Sequence, residues 1–228
     1  WMTIPGFRKP RTAGDIDGDS IPDLFVVDST KFELRLYTNL DQADTGNYLI
    51  FYKDTTGVFE KAIDDYKIAG GGDNNNDGIW DLWLWSGEVF DDTIWAFSTC
   101  NAFDTIADFR IIKSWDPDGK YLATGRSIVS DCDINGDQIP DIIYGQYTSD
   151  FAYPGRVCIV FGGSNLSTSP DLIFHAPGMG AIDDIDFGSD LANMGDISGD
   201  SIDDLWVRQG GRSYVYFGGD PFDTIPDI

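Results

Sequence analysis

Short apolar runs recur along the chain, each separated from the next by polar or glycine-rich residues. Residues 24–27, 82–85, 142–144 and 205–207 form one series, and residues 34–37, 94–97, 157–161 and 214–217 form a second. Their length and their β-branched and aromatic content predict buried strands. A weaker strand is expected before each member of the first series, for instance at 126–129 and 190–194. A further echo joins 103–109 to 222–228 almost residue for residue, with 169–174 in the same place in the third unit, and each of these segments is expected to be a fourth strand. Almost nothing is left over for helices, so the expected class is all-β.

Between the weaker strand and the first apolar run lies an aspartate-rich loop, and it occurs four times. The loops occupy 15–23, 73–81, 133–141 and 196–204, with their first aspartates separated by 58, 60 and 63 residues. A period near sixty marks a repeat architecture. Four units, at about 1–57, 58–117, 118–178 and 179–228, each with four strands, point to a β-propeller built from blades. A linear β-solenoid usually has much shorter coils.

The loops carry the candidate chemistry. Counting from the first aspartate, oxygen-bearing side chains fall at positions 1, 3, 5 and 9, and a backbone carbonyl is available at position 7. The candidate ligands are Asp15, Asp17, Asp19, Ile21 and Asp23 in the first loop, and Asp73, Asn75, Asp77, Ile79 and Asp81 in the second. They are Asp133, Asn135, Asp137, Ile139 and Asp141 in the third, and Asp196, Ser198, Asp200, Ile202 and Asp204 in the fourth. The isoleucines contribute only their carbonyls. A crowded set of hard oxygens is what Ca2+ prefers, and up to four ions, one per loop, are expected. Asp-Gly and Asn-Gly clusters also make tight turns without metal. Turn geometry, however, does not ask for carboxylates at three fixed positions in every copy, and such clusters repel unless a cation sits among them. The EF-hand alternative needs flanking helices and a glutamate at position 12, where this chain has Val26, Leu84, Tyr144 and Val207.

Composition sharpens this picture. Of 39 acidic residues only Glu33, Glu60 and Glu88 are glutamates, so the other 36 are aspartates, a residue of turns and ligand shells and a poor one for helices. The formal net charge of −24, with 15 basic residues, leaves no basic footprint for nucleic acid and makes bound cations an expected part of the folded state. Cys100, Cys132 and Cys158 show no CxxC spacing; a single bridge, such as Cys132 to Cys158, would need an oxidising compartment. One histidine, His175, argues against His-based zinc sites and Ser-His-Asp chemistry. No apolar run reaches the length of a membrane span, and no basic-then-apolar leader is visible. The start at Trp1 suggests a processed protein or part of a longer one.

The fourth unit carries a family likeness. Phe187-Gly188, Gly195-Asp196-Ile-Ser-Gly-Asp200, Asp203-Asp-Leu-Trp-Val207 and Tyr214-Val-Tyr-Phe-Gly-Gly219 follow one another in an order that resembles the FG-GAP repeat of integrin alpha-chain propellers and their microbial relatives. The first three units lack a clear Phe-Gly opening, and none has Gly-Ala-Pro after the second strand. The resemblance implies a calcium loop between the first two strands of each blade, with the loop residues named above as ligands. It also implies partners docking on the face opposite the loops. Propellers of that family typically have seven blades, so four units imply a portion of a longer protein, although a closed four-bladed ring is conceivable.

The function expected on this basis is an extracellular, secreted or cell-surface module for adhesion, recognition or structure, without catalysis of its own. Its partner would be a protein or a glycan, self-assembly is open, and neither nucleic acid nor membrane insertion is expected. One alternative is the propeller part of a polysaccharide-active lyase or hydrolase. The acidic doublets Asp64-Asp65, Asp91-Asp92 and Asp183-Asp184 are the nearest candidates for such chemistry, but they have no spaced Lys, Tyr or His partner and read as solvated turns. The other alternative is a lectin using exposed aromatics. Trp83, Trp85 and Trp206 fall at strand positions that favour the core, which leaves Trp80 open. Asn165-Leu-Ser167 matches a glycosylation acceptor.

Overall fold

A computed structural model describes residues 7–28, 33–38, 48–53, 67–85, 94–97, 108–111, 123–147, 155–177 and 186–228. Among these residues the chain is all-β, with no helix and four antiparallel sheets. The first sheet holds β1 (Phe7–Gly14), β2 (Asp23–Asp28), β3 (Glu33–Tyr37) and β4 (Leu49–Lys53) in that spatial order. The second holds β5 (Lys67–Gly72), β6 (Asp81–Trp85), β7 (Ile94–Phe97) and β8 (Phe109–Ile111). The third holds β9 (Ala123–Cys132), β10 (Asp141–Tyr147), β11 (Arg156–Val160) and β12 (Leu172–His175), and the fourth β13 (Leu191–Asn193), β14 (Leu205–Gln209) and β15 (Arg212–Tyr216).

Successive sheets pack face to face because both faces of each central strand are apolar. In β6, Leu82 and Leu84 point toward the first sheet and join Phe25, Val27, Leu34 and Leu36. Trp83 and Trp85, one residue out of phase, point the other way and join Ile142, Tyr144, Cys158 and Val160 of the third sheet. From the third sheet, Ile143, Val157 and Ile159 then meet Leu191, Leu205, Val207 and Tyr216 of the fourth. The first strands also neighbour one another, β1 against β5, β5 against β9 and β9 against β13.

The Phe-Gly pair of the fourth unit seals its contact with the third. Phe187 is fully buried beside Phe174, ring centroids 5.9 Å apart and edge-on. The Phe187 and Gly188 carbonyls lie so close to the third sheet that a Cβ at Gly155 or Gly145 would come within 2.1 and 1.8 Å of them, which explains glycine at both places.

The echoed segments run into the fourth strand: Phe109 opens β8, and Leu172, Ile173 and Phe174 lie in β12. Their shared aspartate marks its start: Asp108, Asp171 and Asp227 donate their amides to the carbonyls of Ala96, Ile159 and Val215, at 3.0, 2.8 and 2.8 Å. The Asp171 and Asp227 carboxylates also cap the preceding strand, accepting from the amides of Phe161 and Phe217. In the fourth unit the pairing continues to Ile228, whose carbonyl accepts from Val215. Residues 98–107, which hold most of the earlier echo, lie outside the described residues.

Cys132 and Cys158 are free, buried thiols, which corrects the possibility of a bridge between them. They belong to opposite faces of the third sheet, Cys132 packing toward the fourth sheet and Cys158 toward the second. Burial pushes the Cys158 thiol up to about 12, so neither redox nor metal chemistry is favoured there. Cys100 lies outside the described residues.

Candidate metal centre

All four aspartate loops connect the first strand of a unit to the second, and all four fold alike. The residue before each loop faces position 9 across the closing ladder: Gly14 pairs with Asp23, Gly72 with Asp81 and Cys132 with Asp141, while the Gly195 carbonyl accepts from the Asp204 amide at 3.0 Å. Two left-handed residues make the loop compact. Position 4 is Gly18, Asn76, Gly136 or Gly199 and position 6 is Ser20, Gly78, Gln138 or Ser201, with φ from 59° to 91° throughout.

The side chains then bind the loop's own amides. The position 1 carboxylate accepts from position 6, with Asp15, Asp73, Asp133 and Asp196 bound by Ser20, Gly78, Gln138 and Ser201 at 2.8, 2.7, 2.8 and 2.9 Å. The position 5 carboxylate accepts from position 7, so Asp19, Asp77, Asp137 and Asp200 each hold the amide of Ile21, Ile79, Ile139 or Ile202 at 2.8 to 3.0 Å. Position 9 reaches back to position 2: Asp23, Asp81, Asp141 and Asp204 bind Ile16, Asn74, Ile134 and Ile197 at 2.8 to 3.0 Å. These local bonds to Asp and Asn side chains explain why the residue types recur, since each would otherwise leave a backbone donor unsatisfied.

Burial disfavours the charged form of the position 9 carboxylate in the first three loops. The position 9 carboxylates are buried, Asp23 at 2 % exposure, Asp81 at 1 %, and Asp141 and Asp204 at 0 %. Burial first, and the neighbouring carboxylates second, push Asp23, Asp81 and Asp141 up to about 7 against the pull of their amide donors. Asp17 is raised by the same causes. Asp196, fully exposed and bound by the amides of Ser201 and Gly199, is held below the usual range.

In the first loop the gathered oxygens are of the kind that suits a hard divalent cation. Oxygens of Asp15, Asp17 and Asp19 lie within 4.8 Å of one another, and Asp15 Oδ1 is buried without a hydrogen-bond partner among the described residues. The other loops have Asn75, Asn135 or Ser198 where the first has Asp17, so each gathers fewer carboxylates. In the second loop the Asn75 amide points its Nδ2 at Asp77 and Asp81, 3.1 and 3.2 Å away, and offsets their charge with its own partial positive charge. Holding a metal through Asn75 would require that amide to turn. The position 7 residues have their amides fixed by position 5.

The loops also form the joints between units. Position 8 of one loop seats on the start of the loop before it: Trp80 covers Gly14, Pro140 covers Gly72, and Asp203 accepts from the Asp133 amide at 3.1 Å. The sequence Phe-Gly-Gly, which follows the third strand at both 161–163 and 217–219, supplies a second tie. Gly162 and Gly218 donate to Oδ1 of their own position 9 aspartates, Asp141 and Asp204, at 2.8 and 2.9 Å. The next residues, Gly163 and Gly219, donate to the position 2 carbonyls of the preceding loops, Asn74 and Ile134, at 2.7 and 3.0 Å. The repetition of the motif was the available signal.

Of the aromatics, Trp83 and Trp85 are core residues, Trp206 is half-buried on the outward face of the fourth sheet, and Trp80 is exposed at its edge but seated on Gly14. Asn165 is exposed and His175 half-buried. The doublets Asp64-Asp65, Asp91-Asp92 and Asp183-Asp184 lie outside the described residues, and no helix among the described residues is long and apolar enough to cross a membrane. Comparison with protein-family models finds no match for the chain, and comparison with curated proteins finds none either.

Proposed function

We propose that the chain is a calcium-stabilised β-propeller region of the FG-GAP type, working outside the cell as a binding or structural module without catalysis of its own. The observation that carries this reading is the fourfold recurrence of one loop fold in which a buried position 9 carboxylate stands beside further oxygens. Once its carboxylates are ionised, such a cluster is relieved by a divalent cation. The face-to-face sheets and neighbouring first strands support radial blades, and the position 8 contacts make each loop a joint as well as a ligand set. Ca2+ held by positions 1, 3, 5, 7 and 9 would add its binding free energy to folding and would tighten the contact between neighbouring units. Four ions would bring the formal charge from −24 to −16.

Thermal unfolding in millimolar calcium and in excess chelator, with bound metal counted by mass spectrometry or atomic emission, tests the proposal. The expected outcome is a calcium-dependent rise in Tm with several ions per chain. A chain that binds no calcium, or melts at one temperature in both conditions, refutes it.

A further inference from the structure

The third and fourth units meet at their loop edge without filling it. Between them lies a cavity of about 610 Å3, a size ordinary for a small-molecule site. Both of its walls are formed by this chain, on the side of the fourth unit that faces the third. Phe161 and Leu172 from the third unit and Ile202 and Phe222 from the fourth give it an apolar floor. Asp137 and Asp171 from the third unit and Asp220 from the fourth bring negative charge from both walls.

Local structure fixes these positions. Ile202, at position 7 of the fourth loop, reaches over position 4 of the third, where a Cβ built on Gly136 would come within 2.8 Å of its Cδ1. Phe222 meets Phe174 edge-on with ring centroids 5.9 Å apart, and the Phe161 amide donates to Asp171 Oδ2 at 3.0 Å. The four apolar residues are half-buried and the three aspartates exposed, so the floor is apolar and the rim acidic.

The chemistry of the lining selects among ligands. Ionised carboxylates only accept hydrogen bonds. Asn135, which also lines the cavity, directs its amide Nδ2 to Asp137 at 3.1 Å, and no basic residue is among the described lining residues. The side chains therefore offer mainly acceptors, which suits a sugar poorly, because a hydroxyl both donates and accepts. A fitting ligand donates at more than one cationic point and carries an apolar stem between those points. We infer that this cavity binds an aliphatic polyamine, with ammonium groups at Asp171 and Asp220 and the methylene stem lying over Phe161, Leu172, Ile202 and Phe222. Ammonium-to-carboxylate bonds are charge-assisted and among the stronger hydrogen bonds. Calcium in the loops leaves the attraction in place, since Asp171 and Asp220 are not loop ligands and four ions still leave the chain at −16. The inference goes beyond the proposed binding or structural role and does not depend on it.

Titration calorimetry of spermidine into the whole chain in millimolar calcium should show one saturable site per chain, and n-butylamine should bind at least about tenfold more weakly for want of a second charge-assisted bond. Asp171→Asn and Asp220→Asn should each weaken spermidine about tenfold, while Asp190→Asn, an exposed aspartate elsewhere, leaves it unchanged. Diaminooctane should bind more tightly than its diether analogue of equal length and charge, because only the hydrocarbon stem suits the floor. Circular dichroism and bound calcium, measured on every variant, separate loss of the cavity from loss of the fold or of the loops. Heats that do not saturate overturn the inference, as does equal weakening by Asp190→Asn and Asp220→Asn, which would mean diffuse attraction to an acidic chain. Binding seen only in chelator overturns it too, since the amine would then merely be standing in for calcium.

Discussion

Gln138 shows what a loop demands of a single residue. It occupies position 6 of the third loop with φ 70°, in the left-handed region, as do Ser20 and Ser201 in their loops, while the second loop has Gly78 there. A Cβ in that region costs about 1 kcal/mol or more, against which glycine's greater freedom in the unfolded chain must be set. We therefore expect Gln138→Gly to stabilise the protein by roughly 0.5 kcal/mol, read as a higher denaturant midpoint at unchanged m-value. At this scale the candidate ligands could be picked out from spacing alone, because identical residue types return at identical offsets. The use of those side chains could not. That position 9 would be buried and tied to position 2, or that Asp171 and Asp227 would cap a strand, depends on where the backbone turns, and neither periodicity nor composition encodes that.

Strands were easier to read than their relations. The two apolar series fall within β2, β6, β10 and β14 and within or just beyond the ends of β3, β7, β11 and β15, since a strand buried on both faces announces itself as an unbroken apolar run. The expected fourth strand of the third unit begins a few residues early: Leu172–Phe174 do lie in β12, whereas Ser169 and Pro170 belong to the approach that leads to it. Joints between sheets were invisible, and Asn74 is the clearest instance. It takes the position where the other loops have isoleucine, is fully buried, and binds Ser130 O and Pro140 O through Nδ2 at 2.9 and 2.8 Å. Its Oδ1 accepts from Trp83 Nε1 at 2.8 Å. Replacing it leaves buried donors and acceptors unpaired, so Asn74→Ala should destabilise by about 3 kcal/mol. Asn74→Ile, though it restores the residue type of the other loops, should also destabilise, because isoleucine makes none of these bonds. Urea denaturation of the two variants beside the wild type checks both.

For the molecule as a whole, pH should act on stability in opposite directions with and without metal. Asp23, Asp81 and Asp141 titrate at about 7 when folded without metal, well above the ordinary carboxylate value expected of the unfolded chain. Between those two values the folded state holds more protons than the unfolded one, so the stability these groups contribute is complete at low pH and is lost as the pH rises through 7. In chelator, Tm should therefore fall from pH 5 to pH 8. In calcium the trend should reverse, since the ion competes with those same protons and binds the ionised carboxylates. Scanning calorimetry at both pH values with and without calcium gives the four numbers needed, and parallel pH trends in the two conditions would mean that cation and proton do not share these sites.

The adjacent glycine amides after β11 and β15 have one more consequence. Each such unit carries in its own sequence the plug for the neighbour behind it, through the second glycine, and the brace for its own loop, through the first. Nothing in that joint is written in the neighbour's side chains, because the receiving atom is a backbone carbonyl. When whole units are duplicated or deleted this tie survives unchanged, whereas the position 8 contacts, such as Trp80 on Gly14, still have to match across the new boundary.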